Sequence, residues 1–120
     1  MARIAVVGGC GSGKSTIVAR LQRLGHDAYV VGQEHSQIPT LWRRKDPEIV
    51  VYLDVTLETV RSRRGDHWPE WLYHQQQSRL ENAREAADID VSTTVRSIDE
   101  TVSMIAKRLA ERGFSPGPDG

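Results

Sequence analysis

The chain has 120 residues, and its 16 lysines and arginines balance its 16 aspartates and glutamates. A chain of this length forms one small domain with its own core, and it lacks the net basic charge of a nucleic-acid-binding domain. A single cysteine cannot form an intramolecular disulfide, and neither a leader peptide nor a long apolar run is visible. We therefore expect a cytoplasmic protein with no membrane and no nucleic-acid partner.

Hydrophobic periodicity and capping signals divide the chain into alternating strands and helices. Thr56 and the capping box of Ser97 and Glu100 are expected to begin two of the helices. The predicted order is strand 3–7, helix 14–24, strand 28–31, strand 49–53, helix 57–64, helix 70–87, strand 88–91 and helix 98–112.

This alternation predicts an α/β domain whose parallel sheet of about four strands is covered by helices on both faces. We expect a single domain over residues 1–113 and a disordered tail over residues 114–120. Residues 33–48 contain two prolines and no clear period, so we expect a loop there with one short helical turn.

The motif that carries chemistry lies over residues 8–15, which fit the pattern G-x-x-x-x-G-K-S/T between a predicted strand and a predicted helix. In such a loop, backbone N–H groups converge on a phosphate, and the helix N-terminus adds partial positive charge. Lys14 would reach the β- and γ-phosphates, the Ser15 hydroxyl would bind Mg²⁺, and Thr16 would face an outer phosphate. The alternative is a glycine-rich turn in which Lys-Ser occurs by chance. The predicted nucleotide-binding residues are Gly8, Gly9, Cys10, Gly11, Ser12, Gly13, Lys14, Ser15 and Thr16.

Two further segments resemble parts of the P-loop nucleoside-monophosphate and small-molecule kinases. Residues 50–55 and the arginines after them look like the strand and helix that lead into the lid of cytidylate- and thymidylate-kinase-like enzymes. Residues 90–102 resemble the last strand, adenine-side loop and final helix of those enzymes. With the glycine-rich loop, the resemblance covers about residues 1–24 and 49–112.

The resemblance implies a three-layer P-loop NTPase fold, a lid over about residues 61–84, and transfer of the γ-phosphate of ATP, with Mg²⁺, to a small acceptor such as a nucleotide or another metabolite. The sequence lacks the Asn/Thr-Lys-x-Asp motif of guanine-reading GTPases, which also favours ATP. The alternative is a nucleotide-binding sensor or complex subunit with little or no turnover.

One departure from the kinase pattern concerns the acceptor. Such kinases place two strands and a helical acceptor-binding subdomain between the first helix and the lid strand, whereas this chain offers only residues 25–48. The chain therefore resembles a minimal member without that subdomain. Either a small acceptor is held without it, or a second chain, in a homodimer or with another partner, completes the site.

Two acidic residues compete for the role of catalytic acid or base. Asp54 ends an apolar run, as in a Walker B strand, while Glu34 follows the shorter strand over 28–31. The resemblance assigns the strand before Asp54 to the lid side. That leaves the shorter strand beside the first one, with Glu34 beyond its carboxyl end, where ligands gather in open α/β sheets. We favour Glu34 as base or as a group near Mg²⁺; for both acids the alternative is a solvated carboxylate.

Arginines of the predicted helix 57–64 are candidates for binding phosphoryl oxygens. Arg61 and Arg64 are three positions apart and are expected to face the loop together, while Arg63 points elsewhere. The alternative is a solvated basic helix face.

His35, Trp42 and Arg79 are the candidate acceptor contacts. His35 follows Glu34, Trp42 lies in the segment that replaces the acceptor subdomain, and Arg79 lies on the helix after Pro69. The corresponding alternatives are a surface histidine, a loop anchored by its large side chain, and a solvated helix face. The four histidines show no metal-binding spacing, so Mg²⁺ at Ser15 is the only metal expected.

Overall fold

A computed structural model describes residues 2–114 and residue 116. Strands and helices alternate in the predicted order, and two single-turn 3-10 helices, rather than one turn, interrupt the connection between the second and third strands. The predicted tail includes residues 115 and 117–120, which lie outside the described residues. The elements are β1 Arg3–Gly8, α1 Lys14–Arg23, β2 Asp27–Val30, the 3-10 helices Gln33–His35 and Leu41–Arg43, β3 Ile49–Asp54, α2 Leu57–Arg64, α3 Glu70–Ala86, β4 Ile89–Ser92 and α4 Ile98–Glu111.

The four strands form one parallel sheet in the order β2-β1-β3-β4. In β1, Ala5 is paired with Tyr29 of β2 on one side and with Val50 of β3 on the other. The α/β prediction is therefore confirmed, as is the expectation that β2 lies beside β1. Because the strands are parallel, the loops that follow β1 and β2 meet at the same edge of the sheet.

Successive residues of β1 point to opposite faces of the sheet and divide the core in two. Ile4 and Val6 pack with apolar side chains of α1 and α4, whereas Ala5 and Val7 lie on the face covered by α3. Both faces of the sheet are thus covered by helices. Among the helices of the described residues, none is long and apolar enough to cross a membrane.

Helices α2 and α4 begin at the capping residues that the sequence predicts. The Thr59 amide donates to Thr56 Oγ1 at 3.2 Å. At α4, the Glu100 amide donates to Ser97 Oγ and the Ser97 amide donates to Glu100 Oε1, both at 3.1 Å. These bonds satisfy amides that the helix itself leaves unpaired.

Candidate functional site

The glycine-rich loop, residues 8–13, joins the end of β1 to the start of α1. Gly11 and Gly13 have φ angles of 79° and 88°, a region that residues with a Cβ rarely adopt. Gly8 is required for a different reason, because a Cβ there would lie 2.9 Å from the carbonyl oxygen of Leu53. The loop therefore depends on glycine, and it ends at a helix N-terminus that carries partial positive charge.

The Lys14 side chain folds back over this loop. Its Nζ donates to the carbonyl oxygen of Gly8 at 2.6 Å and forms an ion pair with Glu34 Oε2. The side chains of Lys14 and Glu34 are 10% and 4% exposed. Glu34 Oε1 is buried without a hydrogen-bond partner among the described residues, which is costly for a carboxylate oxygen. One oxygen of Glu34 is therefore both unpaired and shielded from solvent.

These groups line a cleft of about 560 Å³ at the carboxyl edge of the sheet. A volume of several hundred Å³ is typical of sites for small molecules. The structure thus brings Glu34, His35 and Arg64 together with the predicted nucleotide-binding residues, apart from Gly8. The cleft is lined by residues 9–16, Val30, Gly32, Glu34, His35 and Arg64.

Helix α3 contributes a residue to the loop that the sequence analysis did not identify. Gln76 is 4% exposed; its Oε1 accepts the Cys10 amide at 3.1 Å, and its Nε2 donates to Cys10 Sγ at 3.2 Å. The signal was present in the sequence, since Gln76 falls on the buried stripe of α3 with Leu80 and Ala83. A polar residue in such a stripe indicates a polar partner beneath it.

The arginines of α2 differ from their predicted arrangement. Arg61 does not face the loop, because its Nε donates to the carbonyl oxygen of Trp68 at 3.1 Å. Arg63, expected to point elsewhere, donates to the carbonyl oxygens of Gly11 at 2.5 Å and Thr93 at 2.7 Å. Helical spacing fixes where each side chain starts, but a long guanidinium then bends to the nearest carbonyl. Of these three arginines, only Arg64 lines the cleft.

Asp54 ends β3 but is not among the residues that line the cleft. Its carboxylate is 39% exposed and lies 3.7 Å from Arg84 Nη2. The guanidinium of Arg84 also lies 5.3 Å from the centre of the Tyr52 ring, and burial raises the pKa of Tyr52 to about 12. Asp54 thus belongs to a contact between β3 and α3.

Of the three predicted acceptor contacts, only His35 lines the cleft. Arg79 Nη1 donates to the carbonyl oxygen of Glu34 at 3.3 Å and so supports the backbone that carries this carboxylate. Trp42 is 8% exposed, and its Nε1 donates to Asn82 Oδ1 at 2.8 Å. Its ring therefore anchors the connection between β2 and β3 against α3, which is the alternative that the sequence left open.

Comparison with models of known protein families gives no match, and neither does comparison with curated protein sequences. The function of the chain is therefore inferred from its motif, its fold and its cleft.

Proposed function

We propose that this chain is an ATP- and Mg²⁺-dependent phosphotransferase with a P-loop NTPase fold, related to the small P-loop kinases, which transfers the γ-phosphate of ATP to a small acceptor. The observation that carries the proposal is the pairing of Lys14 with the buried Glu34. Lys14 follows a glycine-rich loop at a helix N-terminus, and Glu34 follows the neighbouring parallel strand. This combines a phosphate-binding cation with a candidate base at the edge of the sheet where α/β proteins bind ligands.

The phosphates of ATP would lie along residues 9–16, where loop amides and the N-terminus of α1 favour anions. Lys14 would turn from the carbonyl oxygen of Gly8 to the β- and γ-phosphates. Arg64 would add a second cation over the same cleft. Phosphoryl transfer needs mainly this kind of positioning and charge neutralisation.

In the transfer step, a hydroxyl or phosphate oxygen of the acceptor attacks the γ-phosphorus. The bond from that phosphorus to the β–γ bridging oxygen breaks, and ADP leaves with the electron pair. Where the acceptor is a hydroxyl, its proton passes to the carboxylate of Glu34. Release of Lys14 to the phosphates frees this carboxylate for the proton.

The residues of the cleft fit a magnesium ion by their chemistry. Mg²⁺ prefers oxygen ligands, and the residues that line the cleft include the exposed Ser15, with its hydroxyl, and Glu34, with its carboxylate. When bound, Mg²⁺ neutralises charge on the β- and γ-phosphates. Ser15 would bind the ion directly, and Glu34 would contact it through a water molecule, which leaves the carboxylate able to take the acceptor proton.

A small acceptor suits the short connection between β2 and β3. Within residues 33–48 the structure has two 3-10 turns, and the buried Trp42 fixes the second of them. This segment leaves His35 at the cleft, with its side chain 66% exposed. His35 is therefore the favoured acceptor contact of the three predicted ones.

A panel of metabolites with hydroxyl or phosphate groups tests the proposal. With ATP and Mg²⁺, we expect one class of acceptor to raise ADP release in a saturable manner, and Lys14→Ala to abolish the increase. Arg23→Ala, an exposed basic residue at the end of α1, serves as the matched control and should keep wild-type turnover. Binding of ATP without acceptor-dependent ADP release would instead favour the nucleotide-binding sensor or complex subunit.

A further inference from the structure

Three potential metal ligands meet in the cleft, where Cys10 lies near His35 although 25 positions separate the two in the sequence. They are the Cys10 thiol, the Glu34 carboxylate and the His35 imidazole, and their ligand atoms lie within 4.8 Å of one another. His35 Nε2 is 3.9 Å from Cys10 Sγ and 3.7 Å from Glu34 Oε2. The loops after β1 and β2 create this cluster, because the two strands are parallel neighbours.

These separations suit a single tetrahedral ion. With zinc–sulfur, zinc–nitrogen and zinc–oxygen bonds of about 2.3, 2.05 and 2.0 Å, tetrahedral angles place sulfur and nitrogen about 3.6 Å apart and nitrogen and oxygen about 3.3 Å apart. The two measured distances are longer by a few tenths of an ångström. Because the His35 side chain is 66% exposed, its ring has room to move toward the other two ligand atoms.

Two independent features support a ligand at this cluster. The Glu34 side chain is 4% exposed, and although its Oε2 pairs with Lys14, its Oε1 has no hydrogen-bond partner among the described residues. Gln76 Nε2 donates to Cys10 Sγ at 3.2 Å, a contact of the kind that orients a thiolate ligand from outside the coordination sphere.

We infer that Cys10, Glu34 and His35 bind a Zn²⁺ ion in the cleft. A thiolate and an imidazole favour zinc over magnesium, which prefers oxygen ligands. Lys14 leaves Glu34 when the ion binds, so the two anionic ligands balance the charge of the ion, and binding releases the thiol proton of Cys10 to solvent. Three protein ligands leave a fourth position to water, as in sites that exchange ligands.

A zinc ion bound at this site opposes nucleotide binding. This second part of the inference rests on the proposed function. A zinc ion that holds Glu34 takes away the carboxylate that would face Mg²⁺ and the acceptor. It also bonds to Cys10 and occupies space within the loop that would surround the phosphates. By thermodynamic linkage, Mg²⁺–ATP lowers the affinity for zinc by the same factor as zinc lowers the affinity for Mg²⁺–ATP.

Cobalt titration of the full, metal-free and reduced chain tests the metal site by itself. We expect a sulfur-to-cobalt charge-transfer band in the near ultraviolet, with visible bands of tetrahedral cobalt, and displacement of both by one equivalent of Zn²⁺. Cys10→Ser should abolish the charge-transfer band. His35→Gln, which alters an exposed side chain and leaves the core intact, should lower cobalt affinity at least tenfold.

His74→Gln is the matched control, since His74 is also exposed and also lies beside a carboxylate, that of Glu70. It should leave the cobalt spectrum and affinity unchanged. Absence of the charge-transfer band, or its persistence with unchanged affinity in His35→Gln, overturns the zinc site. If the affinity for Mg²⁺–ATP does not change with zinc, only the claim that zinc opposes nucleotide binding is overturned. If ATP does not bind at all, the result counts against the proposed function.

Discussion

Gln76 of α3 holds the backbone and the thiol of Cys10 through two hydrogen bonds, across 66 positions of sequence. The amide accepts from the Cys10 N–H at one end and donates to Cys10 Sγ at the other. A helix that covers one face of the sheet therefore also contacts the glycine-rich loop at its edge.

The contact predicts that Gln76→Leu destabilises the fold by about 1–3 kcal/mol, because the part-buried amide of Cys10 loses its acceptor. Leucine keeps the volume of glutamine without its hydrogen bonds. Urea unfolding followed by circular dichroism measures the difference. Gln75→Leu, at the exposed neighbouring position, is the control and should unfold close to wild type; equal loss of stability in both variants would show that the amide contact has no special role.

A comparison of turnover in two variants distinguishes the catalytic roles of Glu34 and Asp54. We expect Glu34→Gln to reduce kcat by about 10²- to 10⁴-fold, as loss of a general base does. Asp54→Asn should keep turnover near wild type, because Asp54 contacts Arg84 rather than the cleft. Acceptor-dependent ADP release measures both, and loss in the Asp54 variant alone would reverse the assignment.

Gly13 and Gly32 both lie at the cleft but differ in what they tolerate. Gly13→Ala is expected to cost about 1–3 kcal/mol, because its φ of 88° disfavours a Cβ that would also lie 3.0 Å from Ile98 Cδ1. Gly32 has a φ of −79° and nothing within 4 Å of the Cβ position. Gly32→Ala should therefore leave the urea midpoint unchanged or slightly raised, and a similar loss at both positions would refute this account.

The capping box of α4 predicts a pH dependence of stability. Hydrogen bonds from the Ser97 backbone and hydroxyl groups lower the pKa of Glu100 below its ordinary value of 4.5. The folded chain then binds this proton more weakly than the unfolded chain. The associated stability is present above pH 4.5 and is lost as the pH falls through the lowered pKa.

Glu100→Gln isolates that effect, since glutamine preserves the capping geometry without a titrating charge. Urea unfolding of both proteins at neutral pH and at about pH 3 gives the comparison. We expect the variant to be less stable than wild type at neutral pH, and the difference to shrink in acid. A difference that does not change with pH would contradict the role of the Glu100 charge.

Features that depend on neighbouring residues in the sequence could be predicted. The caps at Thr56 and Ser97 are local hydrogen bonds between residues three positions apart, so the sequence alone indicates them. The position of β2 beside β1 was predicted from the resemblance to the small P-loop kinases, which assigned the strand before Asp54 to the lid side. It placed Glu34 at the same edge of the sheet as the glycine-rich loop.

Features that depend on long side chains or on distant segments could not be predicted. Arg61 and Arg63 start on a helix of known spacing, but the carbonyl oxygens that they bind belong to residues 68, 11 and 93. Trp42 had two interpretations, and only packing against α3 distinguishes them. The meeting of Cys10 with His35 depends on sheet register, which residue spacing in the sequence does not contain.

The ion pair between Lys14 and Glu34 lowers the affinity of the cleft for an anion that binds alone. An anion that takes Lys14 must break this ion pair, so its net affinity is the difference between two similar interactions. It would also leave a carboxylate that is 4% exposed without a counter-charge. A magnesium ion that arrives with the anion supplies that charge, so Mg²⁺ and the anion should bind with positive cooperativity.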